Sequence, residues 1–216
     1  QDYKRAFDHD EGPNTGGMGA YSPLTWLPDS FVDEVTEQIA LPTIRELASR
    51  GVPFVGLLYC GLIVTDTGTK VIEFNARFGD PETQVVLTRM STPLAPLLLS
   101  AAEGTLDQVG PVEFKPEVAL TVVLASEGYP ERPATGRVIT GLERASELPG
   151  VSIAHAATSK TDDGLIATGG RVLSVIAEGA DFDEARSRAY VALGQISLEG
   201  SHFRHDIAQK VSSGSH

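Results

Sequence analysis

The residue types best suited to chemistry in this chain lie in one run, Val71-Ile72-Glu73-Phe74-Asn75-Ala76-Arg77-Phe78-Gly79-Asp80-Pro81-Glu82. In a strand, successive side chains alternate between faces, so Ile72 and Phe74 should turn one way, into a core, and Glu73 and Asn75 the other. Residues two apart along a strand are separated by about 6.6 Å, which lets a carboxylate and an amide oxygen converge on one or two hard cations. Mg2+ takes oxygen ligands and commonly draws only one or two from protein, with nucleotide phosphates and water completing its shell. Glu73 and Asn75 are therefore candidate ligands of a Mg-ATP site, and Arg77, just past the strand, is placed to offset negative charge during phosphoryl transfer. Taken alone, the alternation equally suits the exposed face of an amphipathic strand, and Asp80-Pro81-Glu82 suits a turn leading into a helix.

A second segment, Gly12-Pro13-Asn14-Thr15-Gly16-Gly17-Met18-Gly19-Ala20-Tyr21-Ser22-Pro23, is dense in glycine. Glycines permit close backbone approach and leave N–H groups able to cradle an anion. The segment also suits a flexible linker, although Asn, Thr, Met and Tyr are interleaved through it. No Gly-Lys-Ser/Thr follows, so it is not a Walker motif. His9, His155, His202 and His205 are scattered and His216 is in the tail; no Ser-His-Asp or Cys-His arrangement for nucleophilic catalysis is apparent.

The elements that must position these residues follow from periodicity. Residues 1–29, rich in Gly, Pro and Asp, read as a long loop. Apolar residues at helical spacing predict a helix over 30–50, kinked or split at Pro42 and stopped at Gly51. Residues 54–64 predict a buried strand, 65–69 a turn, and 70–75 a returning strand, so that a hairpin carries Glu73 and Asn75. A helical stretch over 85–103 should break near Pro93 and Pro96. Past 110–116 the texture changes to short strands at 118–125, 136–140, 152–156, 165–167 and 171–176, followed by one helix. That helix opens on Asp181 and Glu184 in capping-box spacing, and Phe182, Ala185, Ala189, Leu193 and Ile196 form its apolar face.

The composition bounds the rest. The chain has 216 residues, 41% of them hydrophobic and 21% charged, as expected of a folded globular protein. A net charge of -12 leaves no basic surplus for nucleic acid, and no apolar run is long enough to span a bilayer. Neither nucleic acid nor membrane is expected as a partner. Cys60, the only cysteine, excludes an intrachain disulfide; a buried thiol and a cytoplasmic setting fit it. Residue 1 is not Met, and the tail 212–216 reads as a tag or linker remnant.

Taken together, the motifs resemble the phosphoribosylamine–glycine ligase (glycinamide ribonucleotide synthetase) family of the ATP-grasp superfamily. The resemblance rests on Gln1-Asp2-Tyr3-Lys4-Arg5, on the segments 12–21 and 71–82, on Leu58-Tyr59-Cys60-Gly61-Leu62, and on Thr168-Gly169-Gly170-Arg171-Val172-Leu173. It implies an α/β (α+β) fold: residues 1–115 as the C-terminal part of an ATP-grasp catalytic domain with a mostly antiparallel sheet and flanking helices, and 116–211 as a small β-rich α+β domain. It also implies that an N-terminal half of the enzyme lies outside this sequence, so that the segment alone is inactive. The implied reaction, a step of purine biosynthesis, joins glycine to 5-phosphoribosylamine with ATP through a glycyl phosphate.

Matched position by position, Glu73 and Asn75 correspond to the family's ligands for Mg2+ (or Mn2+) with ATP, and Arg77 to its catalytic arginine. Asn14, Thr15, Gly16, Gly17, Met18 and Gly19, with Asp80 and Pro81, correspond to the border of the substrate site. Asp2, Lys4 and Arg5 are weaker candidates. Where several superfamily members carry a second carboxylate on the paired strand, this chain has Tyr59 and Gly61. Two other readings stay open. One is a different ATP-grasp enzyme, carboxylase-like or formate-using, which an acceptor screen would separate. The other is a non-catalytic interaction module, which Glu73→Ala would separate.

Overall fold

The computed structural model describes residues 1–162 and 164–214. Within them the chain forms two compact units, one made of Gln1–Leu24, Asp80–Met90 and Lys115–His216, the other of Thr25–Gly79 and Ser91–Phe114. The expected division at 115/116 is crossed by this partition, because the first 24 residues and 80–90 pack with the C-terminal part of the chain.

The first unit is built on the strand Val118–Ala125, all eight residues of which are buried. Its run of β-branched and aliphatic residues suits a strand covered on both faces. Antiparallel neighbours flank it: Gly19–Ser22 on one side and Arg171–Gly179 on the other, with Val151–His155 beyond the latter. Val118, Leu120, Val122 and Leu124 face one way and join the core of Phe182, Ala185 and Ala189 from the helix Phe182–Leu193. Ala119 faces the other way, with Ala20 and with Val85 of the helix Glu82–Arg89. A second antiparallel sheet orders Ser197–Leu198, Val138–Thr140, Gly164–Ala167 and Thr158–Thr161.

The capping box forms in extended fashion: Glu184 N–H donates to Asp181 Oδ1 at 2.8 Å, and Ala180 N–H donates to Glu184 Oε2 at 2.7 Å. Residues 1–29 are not one loop. Arg5–Phe7 pairs with Glu11–Asn14, and Gly19–Ser22 is an edge strand of the central sheet. These strands are short and their glycines mask them; for Gly19–Ser22 the partner lies about a hundred residues away in sequence, beyond any local pattern. In the tail, Ser212 ends the helix Gln209–Ser212 and its hydroxyl donates to Asp183, so it belongs to the folded unit. Ser215 and His216, which complete the expected tag remnant, lie outside the described residues.

The second unit holds the helical run 31–49 and the hairpin of Tyr59–Thr65 and Gly68–Asn75. Pro42 sits in the first turn of Leu41–Ser49, directly after a π-helical turn, Thr36–Ala40. Proline has no N–H to continue the ladder, and the wider turn absorbs that loss without ending the helix. The helical stretch expected over 85–103 is two helices, Glu82–Arg89 in the first unit and Leu94–Glu103 in the second, with Pro93 as the cap of the latter.

Candidate active site

In the hairpin, the turn is closed by Thr65 Oγ1 donating to the Gly68 carbonyl at 2.8 Å, and Gly68 takes the positive φ, +98°, that the turn needs. Pairing runs Leu62 opposite Val71 and then Gly61 opposite Glu73, so Ile72 is the extra residue of a bulge. Beyond it Tyr59 opposes Asn75. Residues opposed across a ladder share a face, which puts Tyr59, Gly61, Glu73 and Asn75 together. A side chain at Gly61 would begin 2.9 Å from Glu73 Cγ, so the glycine leaves the Glu73 side chain its room. Sequence shows only that Gly61 carries no carboxylate; the packing shows the room it leaves. Glu73 is exposed and Asn75 half-buried. Arg77 is exposed and donates to the Phe78 carbonyl at 2.8 Å.

An acidic oxygen and an amide oxygen on one face suit a hard divalent cation that brings further ligands with it. Among the described residues no group of three or more His, Cys, Asp or Glu side chains is gathered that could hold a metal ion by itself. The expectation that Ile72 and Phe74 enter a core does not hold in this chain: they are 66% and 42% exposed. Alternation assigns faces but not coverage, and the ribbon has only two strands. Cys60 is likewise half-buried rather than enclosed, its thiol pushed up by partial burial.

The glycine-rich segment and Asp80-Pro81 belong to the first unit. Thr15 N–H and Oγ1 both donate to the Lys4 carbonyl, at 2.7 and 2.8 Å; Gly17 N–H donates to Thr15 Oγ1 at 3.0 Å and Met18 N–H to the Tyr3 carbonyl at 2.8 Å. Gly16 N–H donates to the Tyr129 hydroxyl at 3.2 Å. The expected anion cradle of free N–H groups is therefore absent across 15–18, because those donors are spent within the protein. The glycines serve close packing instead. A side chain at Gly17, where φ is +119°, would begin 2.4 Å from Pro81 Cδ, and one at Gly19 would begin 2.7 Å from the Thr121 carbonyl oxygen. Of the expected substrate-border residues, Asn14, Thr15, Gly16 and Asp80 reach solvent, whereas Gly17, Met18, Gly19 and Pro81 are buried.

Three further groups gather around this segment. Arg171 Nη1 donates to the carbonyls of Gly16 (3.0 Å), Gly17 (3.4 Å) and Asp80 (2.7 Å), and its Nη2 lies 3.1 Å from Asp80 Oδ2. Gln84 Nε2 donates to Asp80 Oδ1 at 2.8 Å. Asp2 is enclosed, with Lys4 Nζ 2.5 Å from its Oδ2, and Lys4 also lies 3.9 Å from Glu82. Burial, reinforced by the Glu82 charge and opposed by Lys4, pushes the Asp2 carboxyl up from 3.8 to about 6. Arg171, Glu82 and Tyr129 received no role from sequence. The one signal available was the Gly169-Gly170-Arg171 run, since consecutive glycines before an arginine suit a crowded backbone.

Two family models match the chain. Phosphoribosylglycinamide synthetase, ATP-grasp (A) domain, covers residues 1–83, and phosphoribosylglycinamide synthetase, C domain, covers 119–210. Phosphoribosylamine–glycine ligase of Leifsonia xyli is 63% identical over 97% of this chain and 51% of that protein. The ligase of Streptomyces coelicolor is 56% identical over the same shares. The crystal structure of the Thermotoga maritima ligase matches with a TM-score of 0.84 at 36% identity, covering 96% of this chain and 50% of that one. A biotin carboxylase domain from Hydrogenobacter thermophilus, solved with MgADP and bicarbonate, is similar at a TM-score of 0.58 and 16% identity, which speaks to fold alone. The chain spans about half the length of the curated relatives it matches. With an antiparallel α/β architecture and both family domains represented in order, the chain belongs to the phosphoribosylglycinamide synthetase family.

Proposed function

We propose that this chain is part of a phosphoribosylamine–glycine ligase that consumes ATP to join glycine to 5-phosphoribosylamine in purine biosynthesis, in the cytoplasm. A carboxylate is a poor acyl donor, so the γ-phosphoryl of ATP passes first to the glycine carboxylate, giving glycyl phosphate and ADP. The phosphoribosylamine nitrogen then attacks the acyl carbon. The C–O bond to phosphate breaks, phosphate leaves, and the nitrogen releases a proton to give glycinamide ribonucleotide. Little of this needs a protein nucleophile; it needs positioning and charge neutralisation.

The observation that carries the reading is the pair of oxygen-bearing side chains, Glu73 and Asn75, on one face of the ribbon opposite the cleared position at Gly61. In this reading Glu73 and Asn75 hold Mg2+ (or Mn2+), and the metal, when bound, neutralises charge on the nucleotide phosphates. Arg77 offsets charge on the transferring phosphoryl group. In the glycine-rich segment, Asn14, Thr15, Gly16 and Asp80 face substrate, while Gly17, Met18, Gly19 and Pro81 set the shape of the backbone. The remaining half of the enzyme is the necessary partner, and the segment by itself turns over no substrate.

The test is ADP formation by the full-length enzyme with phosphoribosylamine and a panel of acids. Strict dependence on glycine supports the reading; dependence on bicarbonate or formate overturns it. Glycine-dependent ADP formation by the 216-residue chain alone would overturn its assignment as an inactive part.

A further inference from the structure

We propose that Arg171 and Tyr129, both from the stretch that matches the C domain, are positioning residues that set the orientation of the glycine-rich segment at the substrate site. This rests on the reading that Asn14, Thr15, Gly16 and Asp80 face substrate. Gly16 is held from both sides of its backbone. Its N–H donates to the Tyr129 hydroxyl at 3.2 Å, and its carbonyl accepts from Arg171 Nη1 at 3.0 Å. The same arginine bonds the Asp80 carbonyl at 2.7 Å and pairs with the Asp80 carboxylate at 3.1 Å. Two segments, 155 and 91 residues from Arg171 in sequence, are thus tied through one planar fork.

The local sequence is shaped around this contact. A side chain at Gly16 would begin 2.8 Å from Arg171 Cζ, inside contact distance, so only glycine admits the guanidinium over the backbone. A side chain at Gly170 would begin 2.1 Å from the Tyr129 ring, so that glycine is what allows the phenol to reach Gly16. Nη1 alone serves the Gly16 and Asp80 carbonyls while Nη2 meets the Asp80 carboxylate; a lysine, with one nitrogen, cannot occupy both places of this fork. The Arg171–Asp80 pair is half-exposed, its side chains 24% and 49% accessible, so its contribution to stability is small. Its consequence is geometric: a shift of about 1 Å in a positioning element costs as much as a hundredfold in rate.

The full-length enzyme decides this, with Arg171→Met, Arg171→Lys, Tyr129→Phe and, as a direct probe of the segment, Asn14→Ala. Arg171→Met is expected to raise KM for glycine or phosphoribosylamine about tenfold while moving KM for ATP less than about twofold. Arg171→Lys should not rescue it, and Tyr129→Phe should give a smaller rise of the same kind. Amide exchange at Gly16 and Gly17 should quicken in the Arg171 and Tyr129 variants. If Asn14→Ala raises a substrate KM and the Arg171 and Tyr129 variants do not, the positioning role is overturned and the substrate-facing segment stands. If Asn14→Ala also leaves every KM unchanged, the substrate-facing reading fails and this proposal with it. Should Arg171→Met not fold, Tyr129→Phe alone decides: unchanged substrate KM overturns the proposal.

Discussion

Two strands of equal length, Val118–Ala125 and Gly68–Asn75, stand in opposite conditions. The first has eight buried residues out of eight, and the second has none. In the unit that contains the second strand, Gly79 is the only buried position among the described residues. A strand covered on both faces gains its stability from apolar area withdrawn from water, at about 25 cal/mol per Å2. A two-stranded ribbon withdraws little and is marginal alone. The candidate metal ligands are therefore displayed on the part of this chain that contributes least to its own core, whereas the glycine-rich segment is tied to the part that contributes most. If the proposed site holds, stability and chemistry are carried by different strands, and substitutions in each should be felt in different measurements.

The largest expected effect is on chemistry without stability. Glu73→Ala in the full-length enzyme should lower kcat by about 10³-fold, the scale of losing charge stabilisation at a transferring group, with an unchanged melting temperature. Unchanged activity and Mg-ADP affinity would favour an interaction module. Next, Leu120→Ala should cost about 3 kcal/mol in urea denaturation of the chain, while Ile72→Ala, on an exposed site, should cost under about 0.5 kcal/mol. Equal losses would erase the contrast between the two strands.

Asp2 sharpens the comparison within the well-packed unit. Its carboxyl is pushed up to about 6 from 3.8, largely by burial. Between those values the folded chain holds a proton that the unfolded chain has lost, so stability falls as pH rises through this window and the penalty is full above it. Asp2→Asn should therefore raise stability by about 2 kcal/mol at pH 7 and leave it unchanged below about pH 4, read from melting curves across pH. A destabilised variant at pH 7 would show instead that the Lys4 pair outweighs burial. A smaller loss within the same unit is local: Asp181→Ala should cost about 1 kcal/mol by removing the cap of the Phe182–Leu193 helix, seen as a lower urea midpoint.

What could be read in advance was what local spacing controls. The Phe182–Leu193 helix and its cap follow from Asp181, Glu184 and an apolar repeat, because helix periodicity and capping involve neighbours within four residues. The hairpin, and the common face of Glu73 and Asn75, follow from a period of two. The strand Gly19–Ser22 escaped because its partner is the distant 118–125 segment. The glycines of 16–19 were open to either ligand binding or tight packing until the positions of Arg171, Pro81 and Thr121 were known.

The sequence by itself thus determined element type, the facing of alternate residues, the family motifs and the oxygen-donor pair, since each depends on chemistry within one short stretch. Only the tertiary structure decided that Ile72 and Phe74 stay exposed, that the N–H groups of 15–18 are spent internally, and that Arg171 reaches the Gly16 backbone. Coverage and partner choice depend on which distant segments meet. That is settled by the packing of the whole unit, to which no local period gives access.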